Sequence, residues 1–190
     1  MFDLDRFKSD CRAAVTRKGA HQAIREIVAR AVERPGDVLK AIGEPGRAQI
    51  QTLHRSGDLT ILNMIWGPHM NITPHNHNMW AVVGIYTGRE NNILWRRIPD
   101  DPSGRIEAAG AKSLGESDAV PFGRDIIHSV TNPIGRLTGA IHVYGGDFFG
   151  APRSEWDPER LVEGPWNAER TLKAFEESNR LFAARPGDSR

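Results

Sequence analysis

The chain has 190 residues, a formal net charge of +1 and a single cysteine. That length suits one domain with a real core, and the near-neutral charge gives no reason to expect a nucleic acid or an anionic membrane as partner. Cys11 alone excludes a disulfide framework and fits a reducing compartment. The start, Met1-Phe2-Asp3-Leu4-Asp5-Arg6, is acidic and amphipathic and does not look like a signal peptide. No apolar run is long enough to span a membrane, and the expected location is cytoplasmic.

Residues 1 to about 45 have helical periodicity. Leu4, Phe7, Cys11, Ala14 and Val15 recur at spacings of three and four behind a candidate N-cap at Asp3. Gly19 breaks that helix. A second is expected from about Ala20 to Glu33, ending at Pro35-Gly36, and a third between a cap at Asp37 and Gly43. Cys11 lies on the apolar stripe of the first helix, where a small buried hydrophobe is favoured over a reactive thiol.

From about Gln49 to Tyr144 the pattern changes to strands. Ile50–His54 and Leu59–Trp66 flank the turn Ser56-Gly57-Asp58, and further strands are expected at Ala81–Tyr86, Asn92–Ile98, Arg105–Ala109, Ala119–Pro121, Asp125–Val130 and Leu137–Tyr144. Many short strands without intervening helices predict a sandwich or barrel. A loop then runs to Pro165. A last helix, about Trp166 to Ala184, carries Leu172, Phe175 and Phe182 on its apolar side and is expected on the outside of the barrel. Pro186 stops it, and the tail Gly187–Arg190 is expected to be mobile. The organisation predicted is one domain over 1–190: a helical extension (1–45), a barrel (46–150) and a C-terminal loop and helix (151–190).

Seven histidines are not equivalent. His21 falls among polar helical residues and His69 in a turn, both expected at the surface. His75 and His77, in Pro74-His75-Asn76-His77, share one face of a strand because side chains alternate with period two. Two imidazoles so placed can chelate a metal, with His128 as the candidate third ligand.

The second segment, Pro121-Phe122-Gly123-Arg124-Asp125-Ile126-Ile127-His128-Ser129-Val130-Thr131-Asn132, together with Gly67…His75-x-His77…Gly88, resembles the two-motif pattern of the cupin superfamily. The resemblance implies a double-stranded β-helix, a jelly-roll barrel. The common cupin glutamate is missing: Ala81 and Val82 stand at its place, and Glu90 lies beyond the next turn, too far along to replace it. The implied site is therefore three neutral imidazoles, which leave a bound M²⁺ its full charge and favour anionic ligands in its open positions.

A three-histidine cupin is similar to the thiol dioxygenases, the cysteine dioxygenase and 3-mercaptopropionate dioxygenase group. Trp66-Gly67…His75-Asn76-His77 resembles that family's Trp-Gly…His-Asp-His pair, and Ala140-Ile141-His142-Val143-Tyr144 its Ser-x-His-x-Tyr motif. The resemblance implies Fe(II) held by His75, His77 and His128, a small thiol and O₂ as substrates, and a sulfinate as product. Tyr144 would donate a hydrogen bond to bound oxygen or substrate, with His142 orienting its hydroxyl. Ala140 replaces the motif's serine, so a water or nothing is expected beyond His142. The substrate carboxylate is expected on an early strand, where Gln49, Gln51, His54 and Arg55 all lie in the right region; Arg55 and Gln51 are the candidates put forward. Three imidazoles also accept Ni, Cu or Zn. The same site suits a cupin isomerase, a C–C-cleaving oxygenase or a non-catalytic metal-binding cupin.

Overall fold

The computed structural model describes residues 1–184, so Pro186 and the tail Gly187–Arg190 lie outside the described residues. Three helices lead, α1 Leu4–Val15, α2 Ala20–Val32 and α3 Pro35–Ile42. Asp3 caps α1, its carboxylate accepting from the Arg6 amide at 2.8 Å. Gly19 takes the left-handed conformation between α1 and α2, at φ 80°. The third helix begins two residues before the expected cap at Asp37. Pro35 opens it, because its preset φ and missing N–H cost nothing in a first turn.

Eleven strands follow among the described residues: β1 Gln49–Arg55, β2 Thr60–Trp66, β3 Asn71–Asn76, β4 Ala81–Thr87, β5 Arg89–Arg97, β6 Ile106–Gly115, β7 Ala119–Phe122, β8 Ile127–Thr131, β9 Thr138–Tyr144, β10 Ser154–Trp156 and β11 Glu163–Pro165. One sheet has the order β1-β2-β9-β4-β7 and the other β11-β10-β3-β8-β5-β6. All pairings are antiparallel. The chain steps between the sheets from β2 to β3, from β3 to β4 and from β4 to β5, which wraps them face to face. This is the double-stranded β-helix of the cupin fold, with helices at both ends.

The central strands of the first sheet, β2, β4 and β9, are buried on both faces. Along β2, Leu62, Met64 and Trp66 turn into the barrel, while Ile61 joins Val82, Tyr86, Ile141 and Val143 against Ile24, Val28 and Val32 of α2. Every β2 residue is buried as a result. Cys11 is fully buried in that helix–sheet layer, and burial pushes its thiol up to about 12, so it acts as a small hydrophobe.

Several elements differ from expectation. β6 continues to Gly115, well past Ala109, because it pairs with β5 along its whole length; its exposed residues carry no apolar alternation to read. β10 and β11 lie in the stretch expected to be loop, and β10 docks on β3 with Glu155 opposite His75. The last helix, α4 Ala168–Ala183, lies over the barrel mouth and not only on its outside. Phe175 stacks on Trp66 at 5.6 Å, and Ala168, Thr171 and Leu172 help line the central cavity. Among the described residues no helix is long and apolar enough to cross a membrane.

Gly84 sets how closely α2 approaches β4. A Cβ there would lie 2.4 Å from Val28 Cγ1 and 3.0 Å from Val32 Cγ1. Gly84→Ala should destabilise the protein by about 1–3 kcal/mol through overpacking. Adding Val28→Ala should recover part of that loss, so the double variant should be more stable than the sum of the two singles. Urea melts of the three variants measure this, and additive losses would show that α2 does not bear on Gly84.

Candidate metal centre

The local backbone of β3 decides where its histidines point. Ile72 pairs with Val130, yet His75 pairs with His128, so β3 spends one more residue than β8 between those pairs. The extra residue is a bulge at Thr73-Pro74, where proline has no N–H to offer a ladder. The bulge places His75 on the same side as Ile72, facing the barrel interior, and both line the central cavity. His77 follows just past the end of β3.

His75, His77 and His128 are all buried, and one ring nitrogen of each lies within 4.8 Å of the others. The Nε2 atoms of His77 and His128 are 2.9 Å apart. Two ligand atoms at right angles, each about 2.1 Å from one ion, would stand about 3 Å apart. The outer nitrogens of two rings are fixed: His75 Nδ1 lies 2.9 Å from Thr73 O in the bulge, and His128 Nδ1 lies 2.7 Å from Asn92 Oδ1. Both acceptors call for a proton on Nδ1, which leaves Nε2 free to ligate. Burial lowers the His75 imidazole to about 4 and holds His77 and His128 well below their ordinary value. The cluster is thus neutral, buried and directed inward, and three histidines can hold a transition metal here.

The cluster opens into a cavity of about 170 Å³. At roughly 30 Å³ per water, that holds a ligand of about six heavy atoms. Ile50, Met64, Ile72, Val130 and Phe148 make its walls apolar. Tyr144 is buried, packs against His77 at 5.0 Å, and places its hydroxyl 3.0 Å from His142 Nδ1. Burial raises the phenol above its ordinary range, so it keeps its proton. Tyr144, His142 and Ala140 share the inner face of β9, as the period of two requires.

Two charged residues at this site were not expected. Glu90 is fully buried, and its Oε2 lies 3.3 Å from His142 Nε2. It therefore occupies the far side of His142, where a water or nothing was expected. It is not a ligand of the cluster, but neither is it remote. The strand β5 starts at once after Gly88 and turns Glu90, Asn92 and Leu94 inward, so extending the expected strand back to Arg89 would have found it. Burial pushes its carboxyl up, but the close His142 ring and hydrogen bonds from Asn92 and Trp66 outweigh that and hold it below the usual range. Arg153, just before β10, is the second. Its guanidinium sits 4.2 Å from the Phe148 ring centre and 4.5 Å from that of Trp166, and its buried Nε and Nη1 have no hydrogen-bond partner. It lines the cavity, and burial lowers its pKa.

The early-strand candidates go elsewhere. Arg55 is paired at the surface with Asp147, Nε to Oδ1 at 2.8 Å and Nη2 to Oδ2 at 2.9 Å. Gln51 accepts from Asn63 Nδ2 at 3.0 Å, and Asn63 in turn accepts from the Tyr86 hydroxyl in the helix-facing layer. Neither lines the cavity; β1 contributes Ile50 instead, because neighbours in a strand face opposite ways. His21 is also not simply solvated: it stacks on Trp80 at 5.2 Å and meets Ala81 O at 3.2 Å.

No family model matches the chain. Solved structures similar to it include an uncharacterized conserved protein with a double-stranded β-helix domain from Klebsiella pneumoniae, at 12% identity and TM-score 0.45, covering 59% of this chain and 81% of that one. A cupin family protein from Methanocaldococcus jannaschii is similar at 11% identity and TM-score 0.43, covering 56% and 86%. Oxalate decarboxylase from Bacillus subtilis is similar at 20% identity and TM-score 0.38, covering 48% of this chain and only 22% of its own length. These likenesses concern the fold.

Two outcomes are expected of the cluster. His77→Ala should reduce bound divalent metal well below one per chain, read by elemental analysis of the purified protein. In the metal-free protein, the unfolded chain binds more protons than the folded one between about pH 6.5 and the His75 value of about 4. Stability should therefore be lost as pH falls across that window, each buried imidazole contributing up to about 1.4 kcal/mol per pH unit. Chemical denaturation at a series of pH values measures it.

Proposed function

We propose that this protein is a mononuclear non-haem iron thiol dioxygenase that oxidises a small mercapto-carboxylic acid to its sulfinate. The observation that carries the reading is one cavity of about 170 Å³ holding the three histidines, the Tyr144 hydroxyl and the unpartnered Arg153 cation. The overall change is R–S⁻ + O₂ → R–SO₂⁻, with both oxygen atoms ending on sulfur and sulfur giving up four electrons. Fe(II) held by His75, His77 and His128 would supply the redox chemistry that joins thiolate to dioxygen.

The chain's own groups define the rest. Arg153 is a cation in the cavity wall whose buried Nε and Nη1 have hydrogen-bonding capacity unused, and a guanidinium is suited to receive a carboxylate. The phenyl and indole rings beside it exclude water and strengthen that ion pair. Tyr144, protonated and braced by His142, presents its oxygen to a ligand beside His77. Among the described residues no carboxylate lines the cavity to receive an ammonium group. A mercapto acid without an amine, such as 3-mercaptopropionate, is therefore favoured over cysteine. No cavity side chain selects sulfur, so a small carboxylate processed by other metal-dependent chemistry is the competing reading.

The test is O₂ uptake by Fe(II)-reconstituted protein offered 3-mercaptopropionate, cysteine, cysteamine and mercaptosuccinate, with sulfinate measured alongside. Uptake should be fastest with 3-mercaptopropionate and weak with cysteamine, which lacks the carboxylate. Arg153→Gln should raise KM for 3-mercaptopropionate by about 10- to 150-fold, the worth of a hydrogen-bonded charge of about 1.5–3 kcal/mol, and leave cysteamine unaffected. Tyr144→Phe should keep its iron and lower kcat. No sulfinate from any thiol, with about one iron per chain bound, rules out thiol oxidation and leaves the competing reading.

A further inference from the structure

Glu90 is a fully buried carboxylate that the proposed reaction does not use, and it touches both the Tyr144 side and the histidine-cluster side of the site. On one side, Oε2 accepts from Trp66 Nε1 at 2.7 Å and faces His142 Nε2 at 3.3 Å, beyond which His142 Nδ1 meets the Tyr144 hydroxyl at 3.0 Å. On the other, Oε1 accepts from Asn92 Nδ2 at 3.0 Å, and Asn92 Oδ1 lies 2.7 Å from His128 Nδ1. One side chain thus joins the tyrosine relay to the third histidine of the cluster.

We infer that Glu90 is a positioning residue: through the direction of its hydrogen bond with Asn92 it sets the tautomer of His128. The reasoning is a count of donors and acceptors. An ionised carboxylate only accepts, and the Trp66 indole only donates. Asn92 must then give Glu90 its amide N–H and keep its carbonyl for His128. That carbonyl only accepts, so His128 carries its proton on Nδ1, and Nε2 is left as the lone pair facing His77.

Glu90→Gln inverts one end of this order at almost constant volume. The Trp66 indole can only donate and requires an oxygen, so the new amide N–H₂ must face Asn92. Asn92 then turns over, presents its own N–H₂ to His128, and drives the His128 proton onto the ligating nitrogen. Asn92→Asp in the same chain restores an acceptor for both neighbours. The inference rests on His128 being a metal ligand, but its first readout needs neither metal nor thiol turnover, so its failure is separable from failure of the proposed reaction.

The experiment is ¹⁵N NMR of the histidine rings in the metal-free protein, with Co(II) affinity by equilibrium dialysis, for wild type, Glu90→Gln and Glu90→Gln/Asn92→Asp. His128 should be Nδ1-protonated in the wild type, Nε2-protonated in the single variant, and Nδ1-protonated again in the double. Co(II) affinity should fall on the order of 10- to 100-fold in the single variant and recover to within about threefold in the double. A folded single variant with unchanged tautomer and affinity overturns the inference. So does loss of affinity in both variants with the tautomer unmoved, which would make Glu90 a space-filling residue. Should the single variant fail to fold, the double variant decides: native folding with near-wild-type affinity supports the inference, and a second failure overturns it.

Discussion

The site depends on the bulge at Thr73-Pro74. A strand's side chains alternate strictly, so a regular pairing outward from Ile72 and Val130 would set His75 opposite Ile127 and turn it away from the cavity. The extra residue instead sets His75 opposite His128. It also leaves the Thr73 carbonyl free of the regular ladder, where it meets the His75 ring at 2.9 Å. One backbone irregularity therefore supplies both the direction of the first histidine and the acceptor that fixes its tautomer. His77 shares the benefit, because the period of two carries it to the same side. The β3–β8 pairing brings in His128 as the cross-strand neighbour, and no longer-range adjustment is needed.

Around that point, buried charge is arranged with opposite signs on opposite sides. Three neutral imidazoles leave the full charge of a bound cation uncompensated. Arg153 adds a second positive group at the cavity wall, lacking any partner for two of its nitrogens. Glu90 lies behind His142 and Trp66, held by hydrogen bonds and outside the cavity lining. A ligand with two negative ends, one for the metal and one for the guanidinium, completes this arrangement. A ligand with an ammonium group would face a cation with no carboxylate beside it. Selectivity in this reading comes from an absent partner as much as from a present one.

Sequence reasoning found what depends on local period and spacing. The paired histidines, the third histidine after a Pro-x-Gly turn, and the His142–Tyr144 face of β9 are each visible over a few residues, and the structure gathers them at one cavity. What it misplaced depends on where a strand starts or on contacts between distant segments. Glu90 was set aside as lying beyond the next turn and too far along to replace the missing glutamate, and the expected strand began at Asn92, three residues after β5 starts. Arg55 and Gln51 were drawn from the correct strand, but the face of β1 that reaches the cavity carries Ile50. Arg153 lies in a stretch with no apolar pattern, and only the pairing of β10 with β3 brings it over the cluster. Helix α4 was expected outside the barrel because its apolar stripe says that it packs, not on what; Trp66 and the cavity mouth supply the answer.

The position of Glu90 shows how a relay can be kept when its local partner is absent. A serine two residues before His142 would have provided a neighbour on the same strand, held by the same backbone. Ala140 cannot do so, and the histidine's outer nitrogen faces a carboxylate from the other sheet. A carboxylate is a stronger acceptor than a hydroxyl and has a second oxygen to spare. That second oxygen is what reaches Asn92, and through it His128. A same-strand serine would orient one histidine, whereas the cross-sheet carboxylate faces His142 Nε2 at 3.3 Å and reaches a second histidine, His128, through Asn92. Those contacts depend on the spacing of the two sheets, since Glu90 lies on β5 and His142 on β9. Trp66 helps to hold that spacing, bonded to Glu90 on one edge and stacked on Phe175 of α4 across its face.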